Sequence, residues 1–178
     1  APIEPRATLA RVPELLLASL AWAYVQTTAA EGLLVDVEGH GREPQDEDCD
    51  LSRTAGWFTT LHPVWLPVSR TAAEAGDPGR LLAEAKEHLR RTPGNGTGYG
   101  LLRYLHEDAE IRAALDRPRA EVLFNYLGHV DATEAGIHGF EPAPEDRGPE
   151  SEPDGQDLYA LEVTAGVYDG RLSITYRH

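Results

Sequence analysis

The chain contains no methionine and a single cysteine, Cys49, in 178 residues. One thiol cannot close an internal disulfide, which is compatible with a reducing cytosol, and a cytoplasmic location is expected. Cys49 lies in an acidic stretch without a neighbouring base, so it is expected to be incidental. The missing methionine, with alanine at position 1, is read as the mark of an excised or trimmed piece of a longer polypeptide. Apolar runs are short. None approaches the roughly 20 residues needed to cross a bilayer, and no signal-peptide pattern opens the chain, so no membrane partner is expected. Positive charge is scarce too: 16 Lys and Arg against 30 Asp and Glu leave −14. That balance argues against nucleic acid, because phosphate binding needs clustered bases.

What is present fits a folded protein. The hydrophobic fraction is 41% with three tryptophans, and the length suffices for one domain with a core or for one half of a larger two-lobed enzyme. The acidity is uneven. Residues 131–157 hold nine acids against one base, Arg147, for a net of −8, whereas the remaining 151 residues carry only −6. The same segment has four prolines, several glycines and almost no large apolar residues, so it is expected to be a disordered, mobile surface loop.

The pattern of apolar residues gives a layered α/β arrangement. Val12 to about Thr28 predicts a helix with Pro13 in its first turn, and Leu33–Glu38 a buried strand. Trp57–Leu61 and Val64–Val68 read as two extended segments split by Pro63. Asp77-Pro78 opens a second amphipathic helix, which the Gly-rich stretch 93–100 ends. Leu101–His106 and Ala109–Leu115 read as short helices, and Glu121–Gly128 as a strand. Leu158–Val167 and Arg171–Tyr176 alternate around the turn Tyr168-Asp169-Gly170, which predicts a β-hairpin.

Chemistry concentrates where the first strand ends, at Glu38-Gly39-His40-Gly41-Arg42-Glu43: a carboxylate, a glycine-flanked imidazole and a guanidinium. Taken alone, this is either a polar turn closed by an Arg–Glu pair or a catalytic loop. Stretch 93–100 lacks the Gly-Lys-Ser/Thr ending of a phosphate loop and follows a helix, so it reads as a helix terminator and a close backbone approach. The seven histidines show neither His-x-x-x-His spacing nor a paired cysteine, so no metal site is expected. No serine stands in a nucleophile-elbow setting. Asn125, between Phe124 and Tyr126, either satisfies buried backbone groups or, if its face opens on a cleft, orients a carbonyl or thioester oxygen. Arg53 and Trp57 read equally as an ion-paired base and a core aromatic.

Together these pieces resemble the epimerization domains of non-ribosomal peptide synthetases, within the condensation-domain superfamily. Glu38–Glu43 matches the motif Glu-Gly-His-Gly-Arg-Glu in full. Glu14-Leu15-Leu16-Leu17-Ala18-Ser19 loosely resembles Asp-x-Leu-Leu-x-Ala. Arg53–Pro63 is similar to Arg-Thr-Val-Gly-Trp-Phe-Thr-x-x-Tyr-Pro, with Ala55 for Val and His62 for Tyr. Pro93–Gly100 fits Gly-x-Gly-Tyr-Gly, and Phe124–Gly128 fits Phe-Asn-Tyr-Leu-Gly. The motifs keep the family order along almost the whole chain.

The resemblance implies the C-terminal half of a chloramphenicol acetyltransferase-like two-lobed fold, with a mixed sheet flanked by helices across residues 1–178. The family's His-His-x-x-x-Asp-Gly motif belongs to the other lobe, and no two histidines are adjacent here. The implied reaction inverts the α-carbon of an aminoacyl or peptidyl thioester held on the phosphopantetheine arm of a peptidyl carrier protein, with no cofactor of the domain's own. On that resemblance Glu38 is the catalytic glutamate and Asn125 and Tyr126 line the active site. His40 and Arg42 position the Glu38 loop, and Arg53, Trp57 and Tyr99 belong to the positioning set. The isolated lobe is expected to be inactive. Two alternatives stay open: a non-catalytic lobe that binds a carrier protein or biosynthetic partner, and half of a peptide-bond-forming condensation domain.

Overall fold

The computed structural model of the protein describes residues 10–28, 30–42, 50–116, 120–130 and 157–178, together with Glu145 and Gly148. Glu43, Cys49 and nearly all of the acidic segment 131–157 lie outside the described residues. Helix α1 (Val12–Thr28) leads into β1 (Gly32–Gly39) and β2 (Thr60–Pro67). Helices α2 (Arg70–Ala75) and α3 (Pro78–Arg90) follow, then a 3-10 turn over Pro93–Gly96, α4 (Thr97–Gly100), a π turn over Leu101–Leu105, and α5 (Ala109–Leu115). Strands β3 (Val122–Val130), β4 (Leu161–Tyr168) and β5 (Arg171–Arg177) complete the chain.

The strands form one five-stranded mixed sheet in the order β2-β1-β3-β4-β5. Pairs β1–β3 and β3–β4 are parallel, and β1–β2 and β4–β5 are antiparallel. Because side chains alternate along a strand, this register sorts them into two faces. Leu33, Val35, Val64, Leu66, Val122, Phe124 and Val163 face α1 and α3, where Leu17, Ala18, Ala21, Leu81, Leu82 and Ala85 close the core. The other face carries Leu34, Asp36 and Glu38 from β1, Leu123 and Asn125 from β3, and Glu162 from β4. Tyr159 reaches across that face, its buried hydroxyl donating to Asp36 Oδ2 at 2.9 Å.

Local chemistry explains the ends of the elements. Asp77 caps α3 by accepting from the Arg80 N–H at 3.1 Å, with Pro78 in the first turn, where no intrahelical donor is needed. Ser69 caps α2 in the same way, and Gly76 ends it in the left-handed region at φ +59°. The two extended segments expected around Pro63 are instead one strand beginning at Thr60, with Trp57–Thr59 outside it. Strand β2 is an edge, so the missing N–H of Pro63 costs no ladder bond on its open side. Helix α2 was not expected from the pattern of apolar residues. The 101–105 segment is a π turn rather than an ordinary helix.

Candidate active site

Strands β1 and β3 end side by side. Between them, the start of α1 and the end of α3 lies a cavity of about 550 Å³. Glu38, His40, Asn125 and Tyr126 line it, with Trp57 and Asn95 at its margins. Sheet register separates these groups by face. Val37 pairs with both His62 of β2 and Phe124 of β3, so Val37, His62, Phe124 and Tyr126 project toward the helices. Glu38 and Asn125 are the next residues along, so they project together onto the opposite face. The cavity wraps the sheet's end and collects residues from both.

Glu38 is half-buried. Loss of water around it pushes its carboxyl above the usual carboxylate range, and the neighbouring charge of Glu162 adds to the effect. His62 is almost fully buried, and that burial holds its imidazole below the ordinary value, with Asp36 pulling weakly the other way. Among the described residues its Nδ1 has no hydrogen-bond partner, and neither does the buried Tyr126 hydroxyl. The charges acting on Glu38 and His62 therefore come from different residues, and the pleat sends the two side chains to different faces. They line one cavity without forming an opposed pair.

The loop after Glu38 is held by contacts that explain its composition. Gly41 has φ +62°, and a β-carbon there would fall 1.6 Å from the Phe58 carbonyl oxygen. Only glycine fits that approach. The His40 Nδ1 accepts from the Arg42 N–H at 3.0 Å. Arg42 donates through Nη1 to the Leu51 and Thr54 carbonyls, both at 3.0 Å, and lies 4.6 Å above the Phe58 ring. It thus fastens the Glu38 loop to segment 51–58. Gly128 has an equally specific use. The β3–β4 register slips between Tyr126 and His129, and Gly128 at φ +82° occupies that bulge, two residues after Tyr126.

Two residues of the positioning set sit elsewhere. Arg53 is exposed and outside the cavity lining. Tyr99 points toward a second cavity of about 400 Å³ on the outer side of β2, where its hydroxyl donates to the Leu115 carbonyl at 3.4 Å and accepts from Arg103. Trp57 is 90% exposed at the rim, not a core aromatic. The structure also brings in residues to which sequence reasoning gave no role. Glu14, 3% exposed at the start of α1, accepts from the Arg11 backbone at 2.9 Å and from its Nε at 3.1 Å, with Lys86 Nζ at 3.7 Å. Burial opposes the charge on Glu14, but the Arg11 bonds and the two nearby cations prevail and lower its pKa. Asn95 reaches the cavity from a turn in which Gly94, Asn95 and Gly96 all have positive φ. Among the described residues, no group of three or more His, Cys, Asp or Glu could hold a metal ion, and no helix is long and apolar enough to cross a membrane.

The fold and the motif-bearing cavity together define a class. The chain matches the condensation-domain family over residues 6–177, and it belongs to that family. It is 42% identical over 174 residues to a linear gramicidin synthase polypeptide of Brevibacillus parabrevis, covering 98% of this chain and 3% of that protein. It is also 42% identical over 180 residues to chondramide synthase cmdD of Chondromyces crocatus, covering 98% of this chain and 4% of that protein. The chain thus spans a small fraction of the length of the curated relatives it matches. Among solved structures it is similar to the epimerization domain from the third module of tyrocidine synthetase B, with TM-score 0.80 and 32% identity over 96% of this chain and 37% of that one. The first condensation domain of the CDA synthetase shares the fold, with TM-score 0.55 and 17% identity over 96% of this chain and 34% of that one.

Proposed function

We propose that this chain is the proton-exchanging lobe of a peptide-synthetase epimerization domain, converting a carrier-bound L-aminoacyl or peptidyl thioester to its D-epimer. The observation that carries the reading is Glu38, half-buried at a cavity wall with its carboxyl pushed above the usual carboxylate range and Asn125 beside it on the same face. A carboxyl group tuned in this direction exchanges protons with a carbon acid more readily than an exposed one. The full Glu38-Gly39-His40-Gly41-Arg42-Glu43 match and the likeness to a solved epimerization domain support the same assignment.

In this mechanism the thioester enters on the phosphopantetheine arm of a partner carrier protein, with its α-carbon at Glu38. One group removes the α-proton and a second, on the opposite side, returns one. Glu38 supplies one of these functions, and a histidine of the other lobe supplies the other. As the α-proton leaves, negative charge gathers on the thioester oxygen, and the Asn125 amide donates to it. His40 and Arg42 keep the glycine-flanked loop from drifting, so that the carboxyl remains aimed. Tyr126 shapes the cavity from the helix side.

The test uses the complete two-lobed domain with a carrier protein bearing an L-aminoacyl thioester, followed by hydrolysis and separation of enantiomers. A mixture of D and L products supports the proposal. Retained L configuration with peptide-bond formation to an acceptor would assign the domain to condensation instead, and retained L configuration without turnover to carrier binding alone.

A further inference from the structure

The face that carries Glu38 holds a second organised group of charges. Glu162 of β4 stands directly opposite Arg177 of β5, and Arg177 Nη2 meets Glu162 Oε2 at 2.5 Å. The Glu162 side chain is only 19% exposed, so this pair is more sheltered than an ordinary surface ion pair. Register puts Glu162 beside Leu123 of β3, which pairs in turn with Asp36 of β1, two residues before Glu38. Glu162 and Glu38 therefore project from one face, two strand spacings across the sheet and two residues along it, or roughly 12 Å between their backbones. Arg177 lies one strand further away, on the far side of Glu162 from Glu38.

We propose that Glu162 and Arg177 form a positioning pair for Glu38, a fixed negative charge and its more distant counter-charge that set how readily Glu38 releases its proton. The inference rests on Glu38 being the proton-exchanging group. Glu162 does not touch the reacting atoms, and it acts through the field it imposes. Arg177 pins the Glu162 carboxylate in place and offsets part of that field. Like charge nearby favours the protonated form of Glu38, in line with the direction in which its carboxyl is displaced.

The other described groups around Glu38 form a background of charge that substitutions at this pair leave unchanged. On β1, Asp36 shares the face and is bonded by the Tyr159 hydroxyl. From β2, Leu61 and Pro63 carry no charge, and from β3 neither Leu123 nor Asn125 titrates. At the strand end, the His40 Nδ1 is occupied by the Arg42 N–H, and the Arg42 guanidinium by two carbonyls. Arg11, at the cavity's α1 wall, is bonded to Glu14.

The experiment follows the Glu38 carboxyl by carbon-13 NMR titration in the complete two-lobed domain, alongside the pH profile of α-proton exchange on a carrier-bound thioester. Glu162→Gln removes the near negative charge and moves the Glu38 midpoint to lower pH. Arg177→Gln removes the offsetting positive charge and moves it to higher pH, while Arg177→Lys restores the wild-type midpoint. Opposite shifts from the two neutralisations are the expected result, because a merely structural pair has no reason to give opposite signs. Shifts of one sign in both variants, or an unmoved midpoint in both, would overturn the proposal. Should Glu162→Gln fail to fold, the Arg177→Gln and Arg177→Lys arms decide alone. Opposite midpoint shifts in a protein that exchanges no α-proton would retain the pair and remove the epimerase reading. Exchange with an unmoved midpoint would do the reverse.

Discussion

Replacing Gly96 by alanine isolates a contact whose partner no sequence pattern reveals. Gly96 has φ +81°, and a β-carbon added there would lie 2.0 Å from His62 Nδ1, 2.1 Å from Cγ and 2.5 Å from Cε1. Two costs follow. Forcing a non-glycine residue into the left-handed region costs about 1–2 kcal/mol. Displacing a well-packed ring costs about 1–3 kcal/mol more, because the buried imidazole has little room to retreat. Gly96→Ala should therefore destabilise the chain by about 2–5 kcal/mol, a large share of the about 5–15 kcal/mol typical of a domain. Gly76 supplies the control: its φ is +59°, but a β-carbon there meets nothing within 4 Å, so Gly76→Ala should show only the backbone cost of about 1–2 kcal/mol. Urea denaturation at constant slope measures both. Adding His62→Ala to Gly96→Ala should make the alanine at 96 about as cheap as the one at 76. Equal losses at the two glycines in the parent background would refute the close packing of Gly96 on His62.

Three further outcomes follow from the site. Glu14→Gln should cost about 1–3 kcal/mol at neutral pH by weakening charge-assisted bonds to Arg11 and Lys86. Because the folded pKa of Glu14 lies below its unfolded value, the wild-type advantage is present above the unfolded value and fades as pH falls through the folded one, as denaturation at graded acid pH would show. Glu38 has the opposite sign: its raised pKa makes ionisation oppose folding, so Glu38→Gln should match wild type in acid and exceed it in stability as pH rises toward neutrality. Tyr159→Phe removes the donor to buried Asp36 and should cost about 1.5–3 kcal/mol in the same denaturation assay, whereas an unchanged midpoint would show that the bond contributes nothing.

Strands and long helices were readable from the chain because their periods are local. The hairpin around Asp169-Gly170, the helix opened by Asp77-Pro78 and the strand carrying Glu38 stand as the alternation and capping signals indicated. Pro63 misled because its cost depends on whether the strand is an edge, and edge status belongs to the sheet order rather than to the segment. Helix α2 left a usable signal, Ser69 before it and Gly76 after it, but six residues are too few for a periodic pattern to emerge. The site was half legible. Glycines 39 and 41 around His40 marked the loop, whereas Glu121–Gly128 read as an unbroken strand and the bulge at Gly128 beside Asn125 and Tyr126 did not show. The burial of His62 needs Gly96 to arrive from 34 positions later, and the Glu162–Arg177 pair needs the β4–β5 register. Such contacts come from tertiary placement, and no composition or spacing specifies them.

The central claim is that the Glu38 carboxyl handles the α-proton, and deuterium uptake tests it most directly. The complete two-lobed domain would be incubated in deuterated buffer with a carrier-bound aminoacyl thioester, and α-deuterium in the released amino acid read by mass spectrometry. Glu38→Gln should slow uptake by about 10²–10⁴-fold, the contribution expected of a general acid–base group, while carrier binding persists. Uptake by the glutamine variant at the wild-type rate would contradict the account.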